Sequence, residues 1–163
     1  MIIGIDAVHL SRSRKGIGRV ERSIIQTLAM QSNYHRFVVF LDCDHASLGL
    51  PNYDGVTYSA SPAGSLFVWE QFHLPRLARR YKIDCLLSLS DRIPLALVGS
   101  IVMYLFEVPD YRREMALSNC DVSVYQRTSD MITQVLFPCS LRRAQHVAVA
   151  SRATERELLT RYG

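Results

Sequence analysis

The sequence has no apolar run long enough to cross a membrane. Its longest uncharged stretch, residues 93–106, is broken by Pro94, Gly99 and Ser100 and falls short of the roughly 20 apolar residues a spanning helix needs. There is no basic leader either: the opening MIIGIDAVHL meets an acid at Asp6, which argues against a signal peptide or anchor and predicts a cytoplasmic protein. The four cysteines, Cys43, Cys85, Cys120 and Cys139, form no Cys-x-x-Cys pair, and no histidine stands at zinc-ligand spacing. A zinc framework is thereby excluded, and free thiols, mostly in the core, are expected. The acidic tetrapeptide Asp42-Cys43-Asp44-His45 has the composition of a solvated loop after a strand rather than of a metal site. No block of like charge occurs. The net charge is +4 and the isoelectric point about 9.0, but the nineteen Lys and Arg are dispersed. Even their densest group, Arg12, Arg14, Lys15, Arg19 and Arg22, is interrupted by Gly and Glu, so a nucleic-acid partner is not predicted. Internal repeats and low-complexity segments are also absent.

What is present is the makeup of an ordinary globular chain. With 163 residues, 48% of them hydrophobic, it is long enough for one domain with a substantial core. Residues 2–5 are a short apolar run ending at Asp6, and residues 37–41 are another ending at Asp42. Both read as buried strands, as do 84–89, 100–106 and 146–150, with a shorter one at 56–59. Between them, Val20, Ile24, Ile25 and Leu28 recur at helical spacing from Arg19 to about Ser32-Asn33. Phe67, Val68, Phe72, Leu74, Leu77 and Tyr81 support a helix through Lys82, with Pro75 forcing a kink or a late start. Helical segments are expected at 129–136 and 141–144, divided by Pro138, and at 154–162, where Thr154 and Glu157 have capping-box spacing and Gly163 stands at the stop. Alternating strands and helices predict an α/β fold, a Rossmann-like doubly wound and mainly parallel sheet with helices on both faces.

In such a sheet ligands bind beyond the carboxyl ends of the strands, where the loop 7–18 must lie. Its stretch Lys15-Gly16-Ile17-Gly18-Arg19 opens a helix, so Gly16, Ile17 and Gly18 are candidates to offer backbone N–H groups to a phosphate or a sugar oxygen. A turn whose glycines only satisfy unusual dihedrals is the alternative. The spacing departs from a dinucleotide fingerprint, because Glu21 occupies the place of the third glycine and Gly16 comes ten residues after Asp6. It is not a P-loop, since no Gly-Lys-Ser/Thr follows.

These residues resemble a known family. Gly4-Ile-Asp-Ala7, the Lys15–Arg19 loop, Phe37-Val-Val-Phe-Leu-Asp42, Trp69-Glu-Gln71, Leu74-Pro75, Asp84-Cys-Leu-Leu-Ser88, the stretch 144–151 and Glu157-Leu-Leu-Thr-Arg-Tyr-Gly163 together resemble, in order, the first half of group 1 (family 4) retaining glycosyltransferases. The resemblance implies that residues 1–163 are a single acceptor-side Rossmann-like domain, the N-terminal half of a GT-B architecture, without the donor-binding C-terminal domain. It implies transfer of a sugar from a nucleotide-diphosphate sugar to a hydroxyl acceptor, with no metal and no cofactor, and no activity for this chain alone. The partners it implies are a nucleotide-sugar donor held by a separate or missing C-terminal domain, a sugar or lipid-linked acceptor, and a partner chain or a second copy.

On this resemblance Gly16, Ile17, Gly18 and Arg19 approach the donor, while Ser88, Ser90, Asp91 and Glu107 offer polar contacts to an acceptor. No catalytic residue is assigned: where relatives carry a His-Asp pair after the fifth strand this chain has Leu105-Phe106, and Leu87 stands where a polar residue is frequent. His9 alone among the histidines follows a strand toward the cleft. The apolar substitutions leave a second expectation open, a noncatalytic module that binds a glycan or a partner. The basic residues Arg76, Arg79, Arg80, Lys82, Arg142 and Arg143 are similar to those of peripheral glycosyltransferases and extend the cytoplasmic expectation to the inner membrane face. A helix packed on the sheet with its charges in water is the favoured account of them, since an amphipathic helix in an α/β domain needs its apolar face for the core.

Overall fold

A computed structural model describes residues 1–12, 16–30, 34–97, 99–109 and 124–163, the last with side chains from 131 onward. The predicted end of the first long helix at Ser32-Asn33, Lys15 of the glycine loop, and Cys120 lie outside the described residues. Six strands, β1 (Ile2–Asp6), β2 (Arg36–Leu41), β3 (Val56–Ala60), β4 (Cys85–Ser88), β5 (Ser100–Leu105) and β6 (His146–Val149), form one sheet in the order β3-β2-β1-β4-β5-β6. Every pairing is parallel. The chain therefore runs outward from β1 in one direction, returns, and runs outward from β4 in the other, so the order reverses between β1 and β4. A crevice opens at that reversal, beyond the carboxyl ends of the two strands.

Strand β2 explains the layering. Phe37, Val39 and Leu41 enter one core with Ile5, Ile25, Leu50 and Leu89, and the alternate Val38 and Phe40 enter another with Trp69, Leu74, Leu77, Leu86 and Ile101. Apolar and buried at every position after the exposed Arg36, the strand has both faces covered, as a doubly wound sheet requires. Helix α1 (His9–Arg12) follows β1 at once, and α2 (Ile17–Met30) brings Ile25 to the first core. The second core is closed by α3 (Leu66–Val68) and α4 (Leu74–Tyr81), joined by a π turn at Trp69–His73. Helix α5 (Val124–Arg143) covers β5, where Phe137 packs with Met103, Leu105 and Val108, and α6 (Arg152–Tyr162) adds Leu158 to that cluster.

Four local expectations are corrected. The stretch 7–18 is not all loop, because α1 lies within it and α2 already begins at Ile17. In the segment 67–82 the late start, not the kink, is what forms: Pro75 sits in the first turn of α4, where a missing N–H costs nothing, and the residues before it form a π turn, so that the segment is not one regular α-helix. Pro138 does not divide a helix but lies inside α5. Thr154 is not the cap of the last helix; Ser151 is, its hydroxyl accepting from the Thr154 N–H at 3.1 Å, while the Thr154 hydroxyl donates to the Phe106 carbonyl at 3.2 Å. The cysteines also differ from expectation. Cys43, Cys85 and Cys139 are free, as predicted, but half-buried or exposed rather than in the core.

Gly4 leaves room on β1 for Phe40 of the neighbouring strand and for Ile83 of the α4–β4 connection. A methyl group there would stand 2.7 Å from both Phe40 and Ile83 side chains, well inside van der Waals contact. Gly4→Ala is expected to destabilise the fold by about 1–3 kcal/mol, measured by urea unfolding. An unchanged midpoint would mean that the β1 layer has room to spare.

Candidate functional site

The crevice at the β1/β4 reversal is built on buried charge. Two consecutive residues of the π turn, Trp69 and Glu70, are fully buried, because the wider turn lets neighbours face inward together. The Trp69 indole N–H donates to Asp6 Oδ1 at 2.9 Å, tying the turn to the end of β1, and its ring stacks on His73. Glu70 receives Arg92 in a two-point contact, Nη2 on Oε1 at 3.1 Å and Nε beside Oε2 at 3.1 Å. Ser90 donates to the same Glu70 Oε1 at 3.2 Å and accepts from the Arg92 N–H. Gln71 extends the seam by accepting from the Leu95 N–H at 3.1 Å. The loop after β4 is thus fastened to the π turn residue by residue. On its other side the Ile93 N–H donates to Ser140 of α5 at 3.1 Å.

Above this seam lies a cavity of about 240 Å³ bounded by the segments that follow β1, β4 and β5. Its polar lining includes His9, Ser90, Asp91, Arg92, Glu107 and Gln134, and Leu105 and Ile17 are among its apolar walls. Burial, reinforced by Arg92 and Arg12, pushes His9 down to about 4, so its ring is neutral at ordinary pH and can hydrogen-bond without carrying charge. Burial raises the Asp91 carboxyl, Arg92 opposes the shift, and Glu107 adds to it.

Of the residues anticipated from sequence, the cavity brings together Ile17, Ser90, Asp91 and Glu107. Ser88 does not reach it. Its side chain is fully buried and its hydroxyl has no hydrogen-bond partner among the described residues. Gly18 and Arg19 line a different hollow of about 410 Å³, with Arg22 and Gly49. Gly16 adopts φ +63°, and a methyl group there would touch nothing, so its glycine serves a left-handed turn rather than close approach. The Arg19 and Val20 N–H groups are taken by the Gly16 carbonyl at 3.1 and 3.3 Å. Asp42, which directly follows β2, is occupied by Ser11 and by Arg12 at 3.0 Å. Asp44 instead accepts from the Ala46 N–H to cap the 3₁₀ turn His45–Leu48. No group of three potential metal ligands converges among the described residues.

Arg92, Gln134 and Tyr104 also line the cavity but were not anticipated. Arg92 directly follows Ser90-Asp91 in the same post-strand loop, which was a usable signal. Gln134 comes from α5, far away in sequence, and nothing local announces it. No protein-family model matches this chain, and no curated protein matches its sequence.

Several carboxyls around the crevice are held against their ordinary chemistry. Burial pushes Asp6 up to about 6, with the Trp69 bond acting the other way, and Asp6 Oδ2 has no partner among the described residues. Glu21 is fully buried and is pushed up to about 9, first by burial and then by Asp6, with the nearby Leu10 and His9 N–H groups opposing. Both its oxygens nonetheless lack a hydrogen-bond partner among the described residues. Glu70 is raised by burial and pulled back by Arg92.

A carboxyl with a raised folded-state pKa binds its proton more tightly folded than unfolded. Its stabilising contribution is therefore complete at low pH and declines as pH rises, for Glu21 from about 4.5 to about 9. Glu21→Gln is expected to leave the melting temperature nearly unchanged at pH 5 and to raise it at pH 8 by about 2–4 °C. Equal effects at both pH values would place this carboxyl in water. The Glu70–Arg92 pair gives a second expectation: Arg92→Met costs about 3–5 kcal/mol at pH 8 by stranding Glu70, and the double variant Glu70→Leu/Arg92→Met recovers most of the loss. A double variant no more stable than the single one would show that Arg92 matters through other contacts.

Proposed function

We propose that this chain is the acceptor-binding domain of a retaining glycosyltransferase, working with a second Rossmann-like unit that holds a nucleotide-diphosphate sugar. The observation that carries the reading is the polar cavity at the carboxyl ends of β1, β4 and β5, where Ser90, Asp91, Glu107 and the neutral His9 meet. Hydroxyl groups are recognised by acceptors and uncharged donors in fixed positions, and these side chains supply both. The family resemblance of the motifs supplies the direction of the chemistry: transfer to a hydroxyl held here, with the leaving diphosphate met by positive charge and by groups of the second unit.

The bases on α4 fit a peripheral location at the inner membrane face. Arg76, Arg79, Arg80 and Lys82 are all exposed, a disposition that attracts anionic surfaces. No helix among the described residues is long and apolar enough to cross a membrane.

A second reading, a glycan- or partner-binding module without transferase activity, is favoured by one feature. Leu105 lines the cavity where a proton-transferring side chain would be useful, and Leu87 packs into the core under α2. Native mass spectrometry of the chain isolated from its own cell extract separates the two. A one-to-one complex with a nucleotide-sugar-binding protein, active in sugar transfer, is the expected outcome. Asp91→Asn and Glu107→Gln should then each lower kcat/KM for the acceptor about ten-fold or more. A chain recovered only by itself, which binds methyl glycosides and transfers nothing, would favour the binding module.

A further inference from the structure

The cavity carries more negative charge than the binding of hydroxyl groups requires. Two carboxylates line it, Asp91 on the loop after β4 and Glu107 just past β5. Glu107 is near enough to add to the rise that burial imposes on the Asp91 carboxyl. Among the described residues the lining holds a single guanidinium, that of Arg92, and it is bonded at two points to Glu70. No ion pair among the described residues reaches Asp91 or Glu107. The Ser90 hydroxyl helps little, because its one proton serves two acceptors, Glu70 Oε1 at 3.2 Å and Asp91 Oδ1 at 3.4 Å. Like charges side by side in a partly enclosed space repel each other and lose hydration, a cost that a cation entering beside them relieves.

The rest of the lining discriminates in the same direction. His9 is held neutral at ordinary pH, so it offers an acceptor nitrogen and no positive charge. The rings of Tyr104 and Phe106, set edge to face at 4.9 Å, also line the cavity, and aromatic rings receive cations over their faces. A general attraction cannot account for a cation here, since the chain as a whole carries a net charge of +4 and favours anions at long range.

Building on the acceptor-binding reading of this cavity, we propose that the acceptor is aminated: an amino sugar or an aminocyclitol whose ammonium group is received by Asp91 and Glu107. An ammonium has three N–H donors to divide between two carboxylates. A hard metal cation asks for more oxygen ligands than this pair supplies, and no group of three potential metal ligands converges among the described residues.

The test titrates the full chain, followed by protein NMR at low ionic strength and about pH 6.5, where the amines carry a proton. Two matched pairs are compared: methyl β-D-glucosaminide with methyl β-D-glucoside, and streptamine with scyllo-inositol. Methyl β-D-glucuronide supplies the anion. At least one aminated compound is expected to bind about ten-fold or more tightly than its neutral counterpart, and the glucuronide more weakly than the glucoside. Added salt should narrow the first ratio. In Asp91→Asn/Glu107→Gln, which keeps side-chain size and whose fold is checked in the same spectra, the ratio should fall to near one.

Equal affinities within both pairs would overturn the proposal while leaving the acceptor reading in place. A preference for the amine that the double variant retains would also overturn it, since the ammonium would then lie elsewhere. So would a glucuronide bound as tightly as the glucosaminide, or magnesium ions that displace the glucosaminide and shift the same resonances, which would make the two acids a metal site. Binding of none of the five compounds would remove the proposal and the sugar-binding reading together.

Discussion

The ion pair between Glu70 and Arg92 is the constraint on which the crevice depends. Both side chains are almost wholly out of water, and an unpaired charge in that position would be far more costly than any single packing defect. Because the partners come from the π turn and from the loop after β4, the pair fixes those segments against each other. The Ser90 and Gln71 bonds then fall into place along the same seam. Asp6 and Trp69 join that seam to the end of β1. A loop that would otherwise sample many conformations beyond a strand end is thereby held as a wall of the cavity.

The architecture was legible in the sequence because its signals are periodic. Phe37-Val-Val-Phe-Leu41 has no polar position, so it had to be buried on both faces, and that implied a parallel sheet covered by helices. The same logic located five of the other strands within a residue or two. What escaped notice was nonperiodic. A widened turn at Trp69–His73 leaves no pattern beyond a proline two residues later, and the usual reading of proline is a break. Pro138 misled in the opposite direction: its ring ends an isolated helix, but packing of Phe137 against Met103 and Leu105 carries α5 through it. At the last helix both Ser151 and Thr154 are competent caps, and the Phe106 carbonyl, distant in sequence, engages the Thr154 hydroxyl and leaves the cap to Ser151.

The site was legible in part, for a related reason. Ser90, Asp91 and Glu107 follow strands directly, so topology alone delivers them to the carboxyl edge of the sheet. The glycine loop illustrates where that reasoning stops. Topology brings Gly16 to Arg19 to the correct edge, but the first turn of α2 rotates Ile17 toward the cavity and Gly18 with Arg19 toward another hollow. One residue of helical rotation is about 100°, and sequence spacing does not say which flank of the helix faces the crevice.

The unfavourable electrostatics are concentrated in one place. Asp6 and Glu21 are buried with oxygens unpartnered among the described residues, Glu70 needs Arg92 to be tolerated, and all three lie around the end of β1. A sequence optimised only for stability would replace such groups with apolar ones of similar volume, at no cost or with a gain. Elsewhere the sheet is consistent with that rule: both faces of β2 and the buried positions of β4 and β5 are filled by aliphatic and aromatic residues, apart from the terminal Ser88. Departures from local consistency are expected where stability is yielded for binding, and here they cluster at the topological reversal of an open sheet, where such folds place their ligands. Energetics thus point to the same crevice as the strand order does, without any family resemblance, and Asp6, Glu21 and Glu70, none of which lines the cavity, belong to the structure behind its wall.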